Sequence, residues 1–289
     1  MSPGLPAQRL ACPVRGCLQP LGYAPEGRGR VFCGRGHSFD RARSGYYNLL
    51  QPQDRRSKSP GDSKTATEAR RRLHRRGFTQ PLLDALSAFA AIEPGASALD
   101  VGCGDGFYLG ALVEALGLEG HGVDISLPAI EAASKRYPAA QWVVANADRT
   151  LPYQTQAFDR VLSINARMNP SEFQRVLRPA ASGARLLVVL PAADDLCELR
   201  GSGRIDRVER TVTEFAPHFE LAERRYVGHS ACLDAEAIDD VRLAIYRPGD
   251  PESSVIEPNI GSRSVRFAWD LLLFRPLAME EVPGTFASE

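Results

Sequence analysis

Leu99-Asp100-Val101-Gly102-Cys103-Gly104-Asp105-Gly106 is an apolar stretch that runs into an acid and three alternating glycines. Glycines at this spacing let a strand turn sharply into a helix and let the backbone approach a ligand closely. A dinucleotide fingerprint spaces its glycines G-x-G-x-x-G, and here Phe107 occupies the third step. The loop therefore suits a ligand end with no phosphate to cradle, the methionine end of S-adenosylmethionine (SAM). Asp100 is placed to attract the amino group of such a donor, directly or through water. Asp124 ends the next apolar run, 18 residues after Gly106. A carboxylate there can accept both hydroxyls of a ribose. Asp148, after the following apolar run, is a candidate for the adenine amino group, and Asn146 competes with it. Gly102, Gly104 and Gly106 with these four polar residues make up the expected cofactor site.

A second constellation precedes the first. Cys12 and Cys17, then Cys33 and His37, follow a Cys-x4-Cys, fifteen-residue, Cys-x3-His spacing. Two close pairs of soft or borderline ligands at the ends of a loop supply the tetrahedron that zinc requires. Residues 1–50 hold too few apolar side chains for a core of their own, and metal binding would supply the missing folding energy. The spacing departs from the common Cys-x2-Cys first pair. Cys103, Cys197 and Cys232 have no paired spacing and read as small buried residues.

The formal net charge is zero, with 35 basic and 35 acidic residues, but the charge is unevenly divided. Residues 1–80 carry 16 Lys/Arg and 5 Asp/Glu, leaving 19 and 30 for the rest of the chain. A basic N-terminal portion is the footprint of a polyanionic partner. Arg70, Arg71, Arg72, Arg75 and Arg76 fall within one expected helix and include candidates for phosphate contacts. Arg55, Arg56 and Lys58 precede them in a loop. The plain alternative is a solvated, arginine-rich surface. No apolar run reaches transmembrane length, and Met1–Arg9 lacks the apolar core of a signal peptide. A cytoplasmic location is the default expectation, and six scattered cysteines fit a reducing compartment better than a disulfide framework.

These groups need elements to position them. Val31-Phe32 and Tyr46–Leu50 read as short strands. Ser63 is placed to cap a helix that runs to about Arg76 and stops at Gly77. From Pro81, with Leu82, Leu83, Leu86 and Phe89 at helical spacing, apolar runs alternate with amphipathic helices. Strands are expected at 98–101, 120–123, 142–145, 160–164 and 185–190, and helices at 107–116, 128–136 and 171–177. That alternation predicts an α/β fold with a parallel sheet covered on both faces. Beyond Pro191 the pattern weakens, and Arg266–Phe274 reads as a final strand. The expected division is a zinc-binding module over 1–50, a basic loop and linker helix over 51–80, and a methyltransferase domain over 81–289.

Longer motifs sharpen this reading. Gly36-His37-Ser38-Phe39-Asp40, Gly45-Tyr46-Tyr47-Asn48-Leu49-Leu50, Ser59-Pro60-Gly61-Asp62-Ser63, Ala69-Arg70-Arg71 and Gln80-Pro81-Leu82 resemble signatures of the bacterial large-subunit (23S) ribosomal RNA (guanine-N1)-methyltransferases, which include macrolide-resistance members. The resemblance spans Cys12 to about Pro179. It implies a Rossmann-like class I SAM-dependent domain behind an N-terminal zinc module, a final antiparallel strand, transfer of methyl to guanine N1 in a ribosomal RNA hairpin, and a homodimer in some members. Where the family carries an aromatic-Ala-Pro segment beside the target base, this chain has Asn165-Ala166-Arg167. Asn165 and Arg167 are accordingly the expected acceptor-side residues, the first orienting the base and the second stabilising developing negative charge. Neither is a general base. Two other readings remain: a small-molecule methyltransferase, and a non-catalytic RNA-binding homologue.

Overall fold

The computed structural model describes residues 9–23, 29–55, 60–200, 205–245 and 261–278. Arg56, Lys58 and Ser59 lie outside them. A small antiparallel sheet comes first, with β1 (Gly22–Tyr23), β2 (Arg30–Phe32) and β3 (Ser38–Asp40) in the order β1-β2-β3. The large sheet contains β4 (Tyr47–Asn48), β5 (Ser97–Val101), β6 (Glu119–Asp124), β7 (Gln141–Val144), β8 (Arg160–Ile164), β9 (Arg185–Pro191), β10 (Phe219–Leu233) and β11 (Arg263–Pro276). Its order is β10-β11-β9-β8-β5-β6-β7-β4. All pairings from β4 to β9 are parallel, while β11 runs antiparallel to β9 and β10 antiparallel to β11.

Parallel strands require crossovers, and helices provide them. α3 (Phe107–Leu116) joins β5 to β6, α4 (Leu127–Arg136) joins β6 to β7, and α5 (Pro170–Val176) joins β8 to β9. Every residue of β5, β7 and β8 is buried, as two covered faces demand. Ahead of the sheet lie α1 (Lys64–Arg75) and α2 (Gln80–Phe89). Ser63 caps α1 by accepting from the Ala66 amide at 3.1 Å, and Ser126 caps α4 from Ala129 at 3.3 Å. α6 (Cys197–Arg200), α7 (Val208–Phe215) and α8 (Ala235–Ile245) follow β9. The expected strands and helices are present with ends shifted by a residue or so, except that Tyr46–Leu50 is strand only at Tyr47–Asn48, and the last strand is antiparallel and longer than expected.

No apolar pattern announces β10. It is fifteen residues long and mostly exposed, with charges such as Glu220, Glu223, Arg224 and Arg225. An outer strand has neighbours on one side only and need not be apolar. Two hydrophobic cores flank the sheet. One of them mixes Leu10, Leu21, Val31 and Leu49 with Leu99, Val123, Val143 and Tyr153. The N-terminal module is thus packed into the sheet it precedes. Arg9 pairs with Glu119 at 2.5 Å, Ala11 donates to the Pro152 carbonyl at 3.0 Å, and Tyr47 sits in register with Val143.

Candidate donor site and metal centre

The parallel strands end together on one edge of the sheet, where a topological switch point opens a crevice for ligands. β5 stops at Val101, and Gly102, Gly104 and Gly106 all adopt left-handed backbone, with φ of 78°, 55° and 76°. The three glycines differ in what they face. A Cβ on Gly102 would collide with Ala166, and one on Gly106 with Trp142 and Ala133. A Cβ on Gly104 would meet only Arg70 Nη1, at 3.6 Å, among the described residues. Close packing within the protein thus requires the outer two, and the middle one faces open space.

Asp100, at the end of β5, is buried, and its Oδ1 has no hydrogen-bond partner among the described residues. Burial, with Asp124 beside it, pushes its carboxyl up to about 8. A buried carboxyl with an unspent oxygen calls for a cation, and an ammonium group is one. Asp124 accepts from the Gly104 amide at 3.0 Å through Oδ2 and from Ser126 at 2.7 Å through Oδ1. Burial lifts its carboxyl above the ordinary value, and those two amides pull it back. Each oxygen keeps a lone pair, so a diol remains within its capacity. Asn146 is buried, gives its amide to the Asp54 carbonyl at 2.9 Å, and accepts from the Asp148 amide at 3.0 Å. These polar groups stand at the ends of the adjacent parallel strands β5, β6 and β7, on one edge of the sheet, and their chemistry suits a donor with a cationic head and a ribose.

Asn165 lies just past β8 with φ of 52°, and its amide donates to the Val189 carbonyl at 3.0 Å. The next residue, Ala166, is the one that packs on Gly102. Arg167 reaches Asp148 at 3.4 Å, and its side chain is 68% exposed. Asn165 is also exposed. Both residues thus flank Ala166, which packs on the first glycine of the loop.

The metal ligands converge. Cys12, Cys17, Cys33 and His37 each offer an atom within 4.8 Å of the others. Cys12 and Cys33 Sγ both lie 3.4 Å from His37 Nδ1, and Cys17 Sγ lies 3.8 Å from Cys33 Sγ. Zinc bonded at ordinary lengths has tetrahedral edges of about 3.8 Å between sulfurs and about 3.5 Å from sulfur to nitrogen. The four residues fit zinc.

The α1 arginines depart from expectation. Arg72 forks onto Asp240 of α8 at 2.6–3.0 Å, Arg76 onto Asp234 at 2.9 Å, and Arg70 bonds Asp62 at 2.5 Å. Arg71 lies 4.0 Å from Asp105. Among the described residues only Arg75 of this group has no acid partner. Most of the charge that reads as a phosphate surface is therefore paired within the protein, for Arg72 and Arg76 with acids 168 and 158 residues further along the chain. Asp62, Asp105 and Arg70 gather near the glycine loop, and nothing in local spacing announces it. Of the three unpaired cysteines, Cys103 is buried, Cys197 is partly exposed, and Cys232 is exposed because it lies on the outer strand.

The N-terminal zinc-ribbon family described as "RlmA, N-terminal" matches residues 10–58, and the methyltransferase-domain family matches residues 98–184. The 23S rRNA (guanine(748)-N(1))-methyltransferase of Streptomyces fradiae is 35% identical over 242 residues, covering 80% of this chain and 82% of that relative. A Micromonospora griseorubida protein, provisionally named a 23S rRNA (guanine-N(1)-)-methyltransferase, is 35% identical over 252 residues, covering 79% and 83%. YxjB of Bacillus subtilis (strain 168), named provisionally in the same way, is 34% identical over 233 residues, covering 74% and 79%. With a Rossmann-like donor crevice and a zinc-ribbon ligand set in one chain, and relatives matched along most of their length, the protein belongs to the family of SAM-dependent 23S rRNA (guanine-N1)-methyltransferases.

Proposed function

We propose that this chain transfers a methyl group from SAM to N1 of a guanine in a hairpin of 23S ribosomal RNA, in the cytoplasm. The observation that carries the donor half is the buried Asp100 carboxyl, its Oδ1 unpartnered among the described residues, on the strand that leads into the Gly102–Gly106 loop. Asp100 would face the donor's ammonium, Asp124 the ribose hydroxyls, and Asn146 and Asp148 the adenine edge. The donor supplies a methyl carbon activated by a sulfonium leaving group. The protein must align nucleophile, methyl and sulfur and keep water out of that line. The N1 proton would leave first, to solvent, and the lone pair so freed would bond the methyl carbon as the carbon–sulfur bond breaks with its electrons left on sulfur. Asn165 would hold the base edge by hydrogen bonds, and Arg167 would stabilise negative charge on the base.

The exposure of Asn165 and Arg167 supports a large acceptor over a small one, since a small-molecule pocket would enclose them. Arg15, Arg43, Arg55 and Arg75 are exposed and without acid partners among the described residues, which supports phosphate contacts there. The family's dimers extend the reading to a second copy, since β10 has no partner on its outer side among the described strands. Sedimentation of the purified chain tests that part. The main test is methyl transfer from labelled SAM to 23S rRNA fragments, with mass mapping of the product. Label in 1-methylguanosine of one hairpin is expected. Transfer to a small molecule alone would replace the reading with the second one, and binding without transfer would replace it with the third.

A further inference from the structure

The methionine end of SAM carries an ammonium and a carboxylate together. Asp100, Asp105 and Asp124 around the glycine loop are acceptors, suited to the cationic groups. Once ionised, none of them can donate to a carboxylate, which is best held by a charged donor. Arg71 stands 4.0 Å from Asp105 on this loop, and Arg70 is the cation set against Gly104 among the described residues. Its Nη1 is the sole atom within 4 Å of the position a Gly104 Cβ would take.

Two bonds fix the guanidinium: Nη1 donates to Asp62 Oδ2 at 2.5 Å, and Nη2 donates to the Ala244 carbonyl at 2.9 Å. Asp62 is itself fixed, its carbonyl accepting from Ser126 Oγ at 2.7 Å. An arginine has five N–H groups, so three remain. Burial pulls the guanidinium down, but Asp62, Asp105 and Asp124 more than offset it, and Arg70 stays charged. Nη1, which bonds Asp62, is also the atom set 3.6 Å from the Gly104 Cβ position, so the charge stands at the middle glycine of the loop.

We propose that Arg70 binds the carboxylate of the donor's methionine moiety and makes the site selective for ligands that keep it. The proposal rests on the placement of the donor at Gly104 given above. It assigns to the donor site a residue whose sequence context, a run of arginines, points to RNA.

Calorimetry with the full chain tests it, using S-adenosylhomocysteine and its decarboxylated analogue, which differ in the carboxylate alone. The unmodified protein should bind the first about ten- to a hundredfold more tightly. Arg70→Gln should abolish that ratio by weakening S-adenosylhomocysteine binding, with the analogue's affinity unchanged within about twofold. Arg70→Lys, which keeps the charge but not the fork, should give an intermediate ratio. Equal affinities in the unmodified protein would overturn the proposal. So would parallel loss of both ligands in Arg70→Gln, the mark of a purely structural tie. Should Arg70→Gln fail to fold, the ratio in Arg70→Lys decides, and an unchanged ratio overturns the proposal. If S-adenosylhomocysteine does not bind the unmodified protein, the donor placement falls first and takes the proposal with it.

Discussion

Asp124 holds the glycine loop from the neighbouring strand: its Oδ2 accepts the Gly104 amide at 3.0 Å, joining the end of β6 to the turn after β5. The acid and the loop are one unit, so removing the acid takes away a hydrogen-bond acceptor for the ligand and also the shape of the cradle. Asp124→Ala should weaken S-adenosylhomocysteine binding by roughly 1.5–3 kcal/mol, about ten- to a hundredfold. Calorimetry checks this, and unchanged affinity would remove Asp124 from the donor site.

Asp100 gives a pH dependence with a definite sign. Its carboxyl rises from an ordinary 3.8 to about 8 in the folded protein. Between these values the native state holds a proton that the unfolded chain has released, so this group's contribution to stability falls as pH rises. A bound ammonium favours the ionised carboxylate, so binding releases the proton. Donor affinity should therefore climb from pH 6 to pH 7.5, by at most about tenfold per unit, before the ligand's own amino group titrates near pH 7.7–8.0. Asp100→Asn should flatten the profile. Affinity that falls over this range in the unmodified protein would reverse the assignment of Asp100.

Purified protein should carry one zinc per chain, measured by elemental analysis, and Cys33→Ser should lose it. Because Leu10, Leu21 and Val31 share a core with Leu99 and Val143, chelation should also lower the melting temperature of the whole chain. A melting curve indifferent to chelator would show that the module and the sheet are uncoupled.

The arginines of this chain should separate into two groups. Changing Arg15, Arg43, Arg55 and Arg75 to Gln should weaken hairpin RNA binding and reduce the log–log salt slope by roughly 0.7–0.9 for each phosphate no longer neutralised. Arg72→Gln should leave the slope alone and instead lower stability by about 1–2 kcal/mol, the modest figure reflecting its partial exposure. Filter binding across a salt series and denaturant melts measure the two. A slope unaffected by the fourfold change would assign those arginines to plain solvation.

Asn165→Ala should reduce the methyl-transfer rate with little change in donor affinity, the pattern of an interaction made mainly in the transition state. In a dry site such a loss reaches roughly 2.7–4 kcal/mol. Asn165 is exposed before RNA binds, so the full effect requires the RNA to exclude water there. Single-turnover kinetics resolve it, and an unchanged rate would put Asn165 outside the reaction.

What could be read in the sequence was what is local. Cys12, Cys17, Cys33 and His37 lie close along the chain, and the structure brings their ligand atoms together. Asp100, Gly104 and Asp124 stand at strand ends in consecutive order, so alternation alone places them on one edge. The α1 arginines show the limit. Spacing reveals five positive charges on a helix, but Asp234 and Asp240, which neutralise two of them, arrive from a segment beyond the whole parallel part of the sheet. β10 shows another limit, because an outer strand with solvated charges carries no apolar signal.

The parallel pairing of Tyr47 with Val143 also sets an order of events. β4 emerges early in synthesis, yet its partner is made only after β5, α3, β6 and α4. The N-terminal module must therefore wait on a nascent chain, its inner face uncovered, until the third strand of the parallel series is complete. Zinc captured at once by Cys12, Cys17, Cys33 and His37 would keep that early piece in shape through the delay. The metal would then act as a chaperone for an unfinished edge, before any RNA or methyl donor is met.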